Sequence, residues 1–360
     1  MKDTPSLNQL ITNPEIVRHG YLAEKIVILD GLPGCGKTLF SSIVSAMDRV
    51  ELLNYAFEVE FICRLFYLNK IQKDAAISMV RMLTDHKLYQ TMMGRETNFR
   101  YSDLSSVFND SNPWRYFKRI FQKGKEMTVP DRIKREKPIL NLTTHNMLSL
   151  GEPLFTALED RLVFIEIVRH PLYMIVQQTL NMERLLDNPR DIDIYIKSDS
   201  DQLPWYTYQW EDLFKKSNPV EKAIYTIHHG SKLTEDFKSK HYGLIKGKTL
   251  TIPFESFVLD PWPYLKKIEE LLGSKITSKT KKVIRKQNVP RKKISDGIPL
   301  GIYKRCGWEE PNMSLSEKEE LDKRRLFAVE QGASDQALEV LDKLCVGYES
   351  NYYKVSEEKL

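Results

Sequence analysis

Residues 25-KIVILDGLPGCGKTLF-40 set Gly31, Gly36, Lys37 and Thr38 in the spacing G-x-x-x-x-G-K-[ST] behind a run of strand-forming residues. Such a strand, glycine turn and helix start direct successive backbone N–H groups at an anion held at the positive end of a helix dipole. Leu39, Phe40, Ile43, Val44 and Met47 then recur at helical spacing, so the turn opens a helix. The pattern implies a bound phosphate without naming the reaction. An ATP- or GTP-using enzyme also needs an acid ending a later apolar strand to hold Mg²⁺. The candidate strand 162-LVFIEIVRHP-171 ends in Arg169, with Glu166 inside it, and Asp30 and Glu255 are poor substitutes.

The elements that must position this loop are legible as short apolar runs, 26-IVIL-29, 139-ILNLT-143, 162-LVFIEIV-168 and 249-TLTIP-253, separated by long helical segments. Continuous apolar strands with crossover-length connections predict an α/β, three-layer P-loop fold: a central, mainly parallel sheet flanked by helices. The chain, residues 1–360, is expected to be a single domain, with residues 54–137 and 180–240 as helical or loop insertions shaping an acceptor site. Ile62, Leu65, Phe66, Ile71, Ile77, Val80 and Leu83 predict one or two long helices between Asn54 and Gly94. Within the insertions, Arg95, Arg100, Trp114 and Arg115 suit an anionic or sugar-like acceptor, and a solvated loop explains them equally. The cluster Trp205, Tyr206, Tyr208 and Trp210 suits either a ring-binding wall or ordinary packing.

The order of motifs resembles the P-loop sulfotransferases, which transfer a sulfuryl group from 3′-phosphoadenosine 5′-phosphosulfate (PAPS). Four stretches carry the resemblance: 31-GLPGCGKTLF-40 is similar to the 5′-phosphosulfate loop, and 138-PILNLTTHN-146 to the strand ending in Lys-Thr-His. The stretch 161-RLVFIEIVRHPLYMIVQQ-178 resembles the strand, Val-Arg-Asn-Pro turn and helix that bind the 3′-phosphate, and 249-TLTIPFESFVLDPWPYLKKIEELLG-273 the strand, turn and helix ending in Leu-Gly. The resemblance implies a PAPS co-substrate, no metal, and a hydroxyl acceptor, of which a small molecule or a glycan is an example. It implies that Gly34, Cys35, Gly36, Lys37 and Thr38 cradle the 5′-phosphosulfate and that Lys37 neutralises the bridging oxygen as the bond to sulfur breaks. His145 falls at the general-base position, where imidazole with its ordinary pKa of about 6.5 can take the acceptor's proton; a structural hydrogen bond is the alternative for a histidine at a strand end. Arg169 would hold the 3′-phosphate, and Arg291, Lys292 and Lys293 would close over it. Where the family has a serine ligand this chain has Gln177, so that contact is changed or comes from Gln178 or Thr179.

Composition excludes little beyond this. The net charge of +5 is small, but 279-KTKKVIRKQNVPRKK-293 carries eight Lys/Arg and no acid. That segment fits a solvated surface, a pocket wall for a polyanionic ligand or, least well, nucleic acid, for which there are no fingers, RNP-like aromatics or extended basic stripe. No window approaches ~18 apolar residues and the first residues lack a signal pattern, so no membrane span is expected. Cys35, Cys63, Cys306 and Cys345 lie far apart without C-x-x-C spacing, as free thiols of a cytoplasmic protein would. Three readings remain: a PAPS-dependent sulfotransferase, a P-loop kinase or NTPase using ATP and Mg²⁺, and a non-catalytic nucleotide-binding module.

Overall fold

The four apolar runs become neighbouring strands of one parallel sheet. In the computed structural model, which describes residues 14–122, 127–186 and 188–352, the strands are β1 (Ile26–Asp30), β2 (Asn54–Tyr55), β3 (Leu140–Thr143), β4 (Leu162–Val168), β5 (Tyr195–Ser198), β6 (Asp201–Pro204) and β7 (Thr249–Pro253). The sheet order is β2-β3-β1-β4-β7, all parallel, with Ile26 opposite both Leu140 and Leu162, while β5 and β6 form a separate antiparallel hairpin. The short edge strand β2 lacks a pattern of its own in the sequence. Because the chain leaves β1 toward β2 and β3 on one side and later adds β4 and β7 on the other, the crevice at the carboxyl end of β1 is the switch point where ligands of open α/β sheets bind.

Alternation along β1 divides the core in two. Val27 and Leu29 face α1 (Lys37–Ser45), packing with Leu39, Phe40, Ile43 and Val44. Ile26 and Ile28 face the opposite layer, where α2 (Phe57–Tyr67) and α3 (Lys73–Met93) contribute Val59, Ile62, Val80 and Leu88. Strands buried on both faces account for the unbroken apolar runs, and the expected three-layer α/β architecture is observed. The first half of the 54–137 segment therefore supplies the second helical layer of the core.

Two further helices, α4 (Pro113–Phe121) and α5 (Thr128–Glu136), complete that segment. Beyond α6 (Glu152–Leu158), helix α7 (Pro171–Arg184) follows β4; α8 (Glu211–Lys216) leads into α9 (Pro219–Lys240), and Val220, Ala223, Ile224 and Ile227 of α9 join the same core cluster as Ile175 of α7. Trp205 and Trp210 are buried, Trp210 stacked on His229 at 4.4 Å and Trp205 under the Arg64 guanidinium at 5.2 Å, so these two tryptophans serve packing, while Tyr208 is exposed. After α10 (Tyr242–Ile245) and β7 come α11 (Phe254–Leu259), α12 (Trp262–Leu272), α13 (Ser278–Lys286), α14 (Gly301–Arg305), α15 (Glu317–Glu330) and α16 (Asp335–Tyr352). No described helix is long and apolar enough to cross a membrane.

Helix α4 is fastened to the sheet edge by charge. Arg119 grips Glu51 through two bonds of 2.7 and 2.9 Å, Arg115 donates to the Val50 carbonyl at 2.6 Å, and the Tyr116 hydroxyl accepts from the Leu52 amide at 2.6 Å. Burial pushes the Glu51 carboxyl up, but the bonds from Arg119 and the charges of Arg115 and Arg119 outweigh it and leave the pKa lowered. Removing one partner of a buried pair strands the other. Arg119→Met is expected to cost about 3–5 kcal/mol at neutral pH in urea unfolding, whereas Lys118→Met on the exposed face changes stability by less than about 0.5 kcal/mol. Since the folded-state pKa of Glu51 is the lower one, this contribution is present above the ordinary carboxylate range and lost as pH falls through and below it; the gap between wild type and Arg119→Met should narrow on acidification.

Candidate functional site

The site is assembled on Asp30, the last residue of β1. Its buried carboxylate accepts from the Thr144 hydroxyl at 2.7 Å and from the Met147 and Leu148 amides at 2.8 and 3.0 Å, while the Asn146 amide donates to the Gly31 carbonyl at 3.2 Å. The turn carrying His145 is thereby locked against the start of the phosphate loop. Gly31 (φ 145°) passes so close to β4 that a Cβ would lie 2.4 Å from the Ile167 carbonyl oxygen, and at Gly36 (φ 101°) a Cβ would lie 2.3 Å from the Phe254 ring. Only glycine fits either place. Gly36 caps α1 and its carbonyl takes the Leu39 amide; the Lys37 and Thr38 amides precede the first intrahelical bonds and are the donors such a loop offers an anion.

One pocket collects most of the residues singled out in the sequence: Gly34, Gly36, Lys37, Thr38, His145, Arg169, Gln177 and Arg291 all line it. Lys37 is buried and folds back, its Nζ donating to the carbonyls of Gly31 and Leu32, the latter at 3.1 Å. Three predicted residues are not brought to this pocket. Cys35 turns into the core, its amide already bonded to the Leu32 carbonyl at 3.2 Å, and burial pushes its thiol pKa up. Lys292 is exposed, and the Lys293 ammonium donates to the carbonyls of Met313 and Leu315. The backbone explains the split: the Arg291 amide bonds to the Val258 carbonyl at 2.7 Å, directing this residue inward and its neighbours away. Gln178 and Thr179 are also engaged elsewhere, Gln178 bracing the loop through the Pro33 carbonyl at 2.8 Å and Thr179 bonding to the Ile175 carbonyl.

At one end of the pocket three guanidinium groups converge on two aromatic rings. Arg169 lies 4.3 Å from the Phe254 ring and 5.2 Å from that of Tyr173, Arg291 is 5.4 Å from Phe254, and Arg324 of α15 is 4.5 Å from Tyr173. Arg169 donates to the Gly34 carbonyl at 2.9 Å, which couples this end to the loop. Burial lowers the pKa of Arg169; burial and the charge of Arg169 lower that of Arg291 to about 10. The nearby acids are only partial counterweights: Glu255 accepts from the His170 amide and the Tyr348 hydroxyl, and Glu320 is bonded to Arg324 at 2.7 Å. The Tyr303 hydroxyl, Arg169 Nε and Arg324 Nε are buried without a hydrogen-bond partner. Crowded cations with unused donors form a site whose electrostatics improve when an anion enters.

The opposite end carries His145. Its Nδ1 lies 2.9 Å from Glu60 Oε1, with the proton assigned to the nitrogen, which leaves Nε2 as the basic atom of the ring. Glu60 is wholly buried on α2 and shares its charge with Arg64, which also binds Asp193 at 2.5 Å. The imidazole stacks on Phe57 at 6.0 Å, and Phe57 on Tyr55 at 5.7 Å. Neither Glu60, Tyr303 nor Arg324 was singled out in the sequence. Glu60 and Arg64 left a trace, an acid and a base four apart in a largely apolar helix; Arg324 sits in a run of mixed charge that marks no residue.

The three acids considered for Mg²⁺ beside the loop are engaged in hydrogen bonds: Asp30 as above, Glu166 to Lys238 at 2.6 Å and Thr251 at 2.5 Å, and Glu255 to the partners named. Arg115 points inward to Glu51, and Trp114 and Arg100 are exposed, so none of these three lines the pocket, whereas Arg95 borders an adjoining groove.

No protein-family model matches the sequence, and no curated protein matches it. Among solved structures it is similar to the sulfotransferase domain from the curacin biosynthetic pathway, at 13% identity over 85% of this chain and 98% of that one, with a TM-score of 0.43. It is also similar to the sulfotransferase STF9 from Mycobacterium avium (12%, 92% and 78%, TM-score 0.40) and to a mouse sulfotransferase, SULT7A1, complexed with PAP (13%, 89% and 89%, TM-score 0.33).

Inorganic pyrophosphate should raise the melting temperature by binding only the folded state. In a thermal-shift titration the rise should shrink in both Arg291→Ala and Arg324→Ala; an undiminished rise in both would assign the pyrophosphate to the loop alone.

Proposed function

We propose that the protein is a sulfotransferase that moves a sulfuryl group from PAPS to a hydroxyl acceptor, a carbohydrate hydroxyl being one candidate. The observation that carries this reading is a single pocket in which the loop at Gly34–Thr38 is joined by an adjoining cluster of cations, Arg169, Arg291 and Arg324, with a carboxylate-held histidine near the loop. A nucleotide with phosphates only on its 5′ side would use the loop and leave the arginine cluster uncompensated. PAPS, which carries a further phosphate on the ribose, matches both, and the unpartnered Tyr303 hydroxyl and arginine Nε atoms are suitable donors for it. The donor supplies the sulfuryl group and leaves as adenosine 3′,5′-bisphosphate.

The chain's residues divide the remaining work. His145 Nε2 takes the acceptor's proton as the oxygen attacks sulfur, and Glu60 holds the ring in the required tautomer and balances the charge it gains. Loop amides and the Lys37 ammonium stabilise charge on the departing phosphate oxygen, for which Lys37 exchanges its bonds to Gly31 and Leu32 for the ligand. Gln177 lies beside Gly34, within reach of the same ligand. The groove lined by Leu53, Tyr55, Thr97 and Asn98 is the acceptor side. The described cysteines are all free, which supports a reducing, cytoplasmic setting.

Adenosine 3′,5′-bisphosphate is expected to raise the melting temperature more than ATP with Mg²⁺, and Arg169→Ala should weaken the bisphosphate far more than adenosine 5′-phosphate. A larger shift with ATP and Mg²⁺ and none with the bisphosphate would favour a kinase or NTPase instead. With radiolabelled PAPS and a panel of hydroxyl acceptors, His145→Ala should lower kcat by about 10²–10⁴ while bisphosphate binding persists. Glu60→Gln should retain more turnover than Glu60→Ala with KM for the donor unchanged in both; bisphosphate binding without transfer by wild type would mark a non-catalytic module.

A further inference from the structure

Helix α4 is amphipathic in the inverse sense. It turns Tyr116 and Arg119 inward and leaves Trp114 70%, Ile120 47% and Phe121 83% exposed. Phe117 sits at the centre of a ring cluster, 5.7 Å from Trp114, 5.8 Å from Phe108 and 5.6 Å from Phe99, and Phe108 in turn contacts Tyr101, itself 79% exposed, at 5.7 Å. Contiguous exposed aromatic area of this kind is a contact surface in soluble chains. The buried bonds of Arg119 and Arg115 to Glu51 and the Val50 carbonyl hold the helix in this orientation, so the aromatic face is built into the fold.

The rim identifies the occupant. Arg95, Arg100 and Lys118 are exposed around the rings against Glu96 and Asp103, and the adjoining helix α5 adds four cations, Arg132, Lys134, Arg135 and, just past its end, Lys137, against Asp131 and Glu136. Arg132 bonds to the Gln122 side chain and so keeps α5 at the Phe121 end of the patch. Exposed aromatic rings ringed by an excess of cations match the headgroup region of an anionic bilayer, where rings enter the interface and Lys and Arg meet lipid phosphate and carboxylate. A second copy of this chain is a poorer fit, because a two-fold contact sets the cationic rim against itself. We propose that this face docks the protein peripherally on an anionic lipid surface. Leu52 and Tyr116, at the base of α4, border the groove that shares Leu53 and Tyr55 with the P-loop pocket, so docking brings the groove end of that pocket toward the bilayer.

Co-sedimentation of the full chain with phosphatidylcholine vesicles, with and without about 30% phosphatidylserine, tests this. Wild type should pellet with the anionic vesicles and far less with the neutral ones. Trp114→Ala with Phe121→Ala should weaken partitioning about ten-fold or more, and Arg100→Glu with Lys118→Glu, which leaves every ring in place, should weaken it on anionic vesicles alone. Melting curves check that both double variants fold, and pyrophosphate binding should be unchanged in each. Failure of wild type to pellet, or unchanged pelleting of both double variants, overturns the proposal. So does a wild-type dimer in light scattering that the Trp114→Ala, Phe121→Ala pair disperses, because the face would then be covered by a second copy.

Discussion

A single buried carboxylate fixes the geometry on which the pocket depends. Asp30 ends the central strand one residue before the phosphate loop begins, and its bonds to Thr144, Met147 and Leu148 bind the loop's origin to the turn that bears His145. Without that tie the loop and His145 would hang from separate strands, β1 and β3. With it, the distance between phosphate amides and imidazole becomes a property of backbone packing. Both oxygens of Asp30 accept hydrogen bonds from this turn, so the carboxylate's role here is to hold it.

What the sequence made legible follows from how local the determinants are. The four apolar runs are buried on both faces, so composition alone marks them, and Gly31 and Gly36 are forced by close approach to Ile167 and Phe254. Arg169 was readable because it follows an apolar strand within the stretch that resembles the family's 3′-phosphate motif. Lys292 and Lys293 were grouped with Arg291 because a run of like residues gives no hint of which side chain turns inward; a single backbone bond from Arg291 to Val258 decides it. Cys35 followed the loop motif, but its amide closes a turn within the loop. Arg324 reaches the pocket and Glu60 the back of His145 through tertiary packing of α15 and α2, which no local spacing encodes.

The arginine end is electrostatically costly when empty. Desolvation lowers the pKa of Arg169 and Arg291, and the acids nearest them are shared with other donors. Rings of Phe254 and Tyr173 lie among the guanidinium groups and stabilise them through their faces while contributing no counter-charge. Fold stability is thus exchanged for a preorganised charge, a common arrangement where strain and function coincide.

Where Arg324 comes from has a consequence for the order in which the pocket is made. The phosphate loop follows the first strand, yet the third guanidinium arrives only with α15, and Tyr348 of α16 bonds the Glu255 carboxylate that steadies the turn after Arg169. A chain still emerging from the ribosome can fold its loop while the opposite wall is unmade. Under the proposed function, ligand affinity is completed late in synthesis, and an interrupted translation product keeps the sequence motif without the arginine cluster beside it.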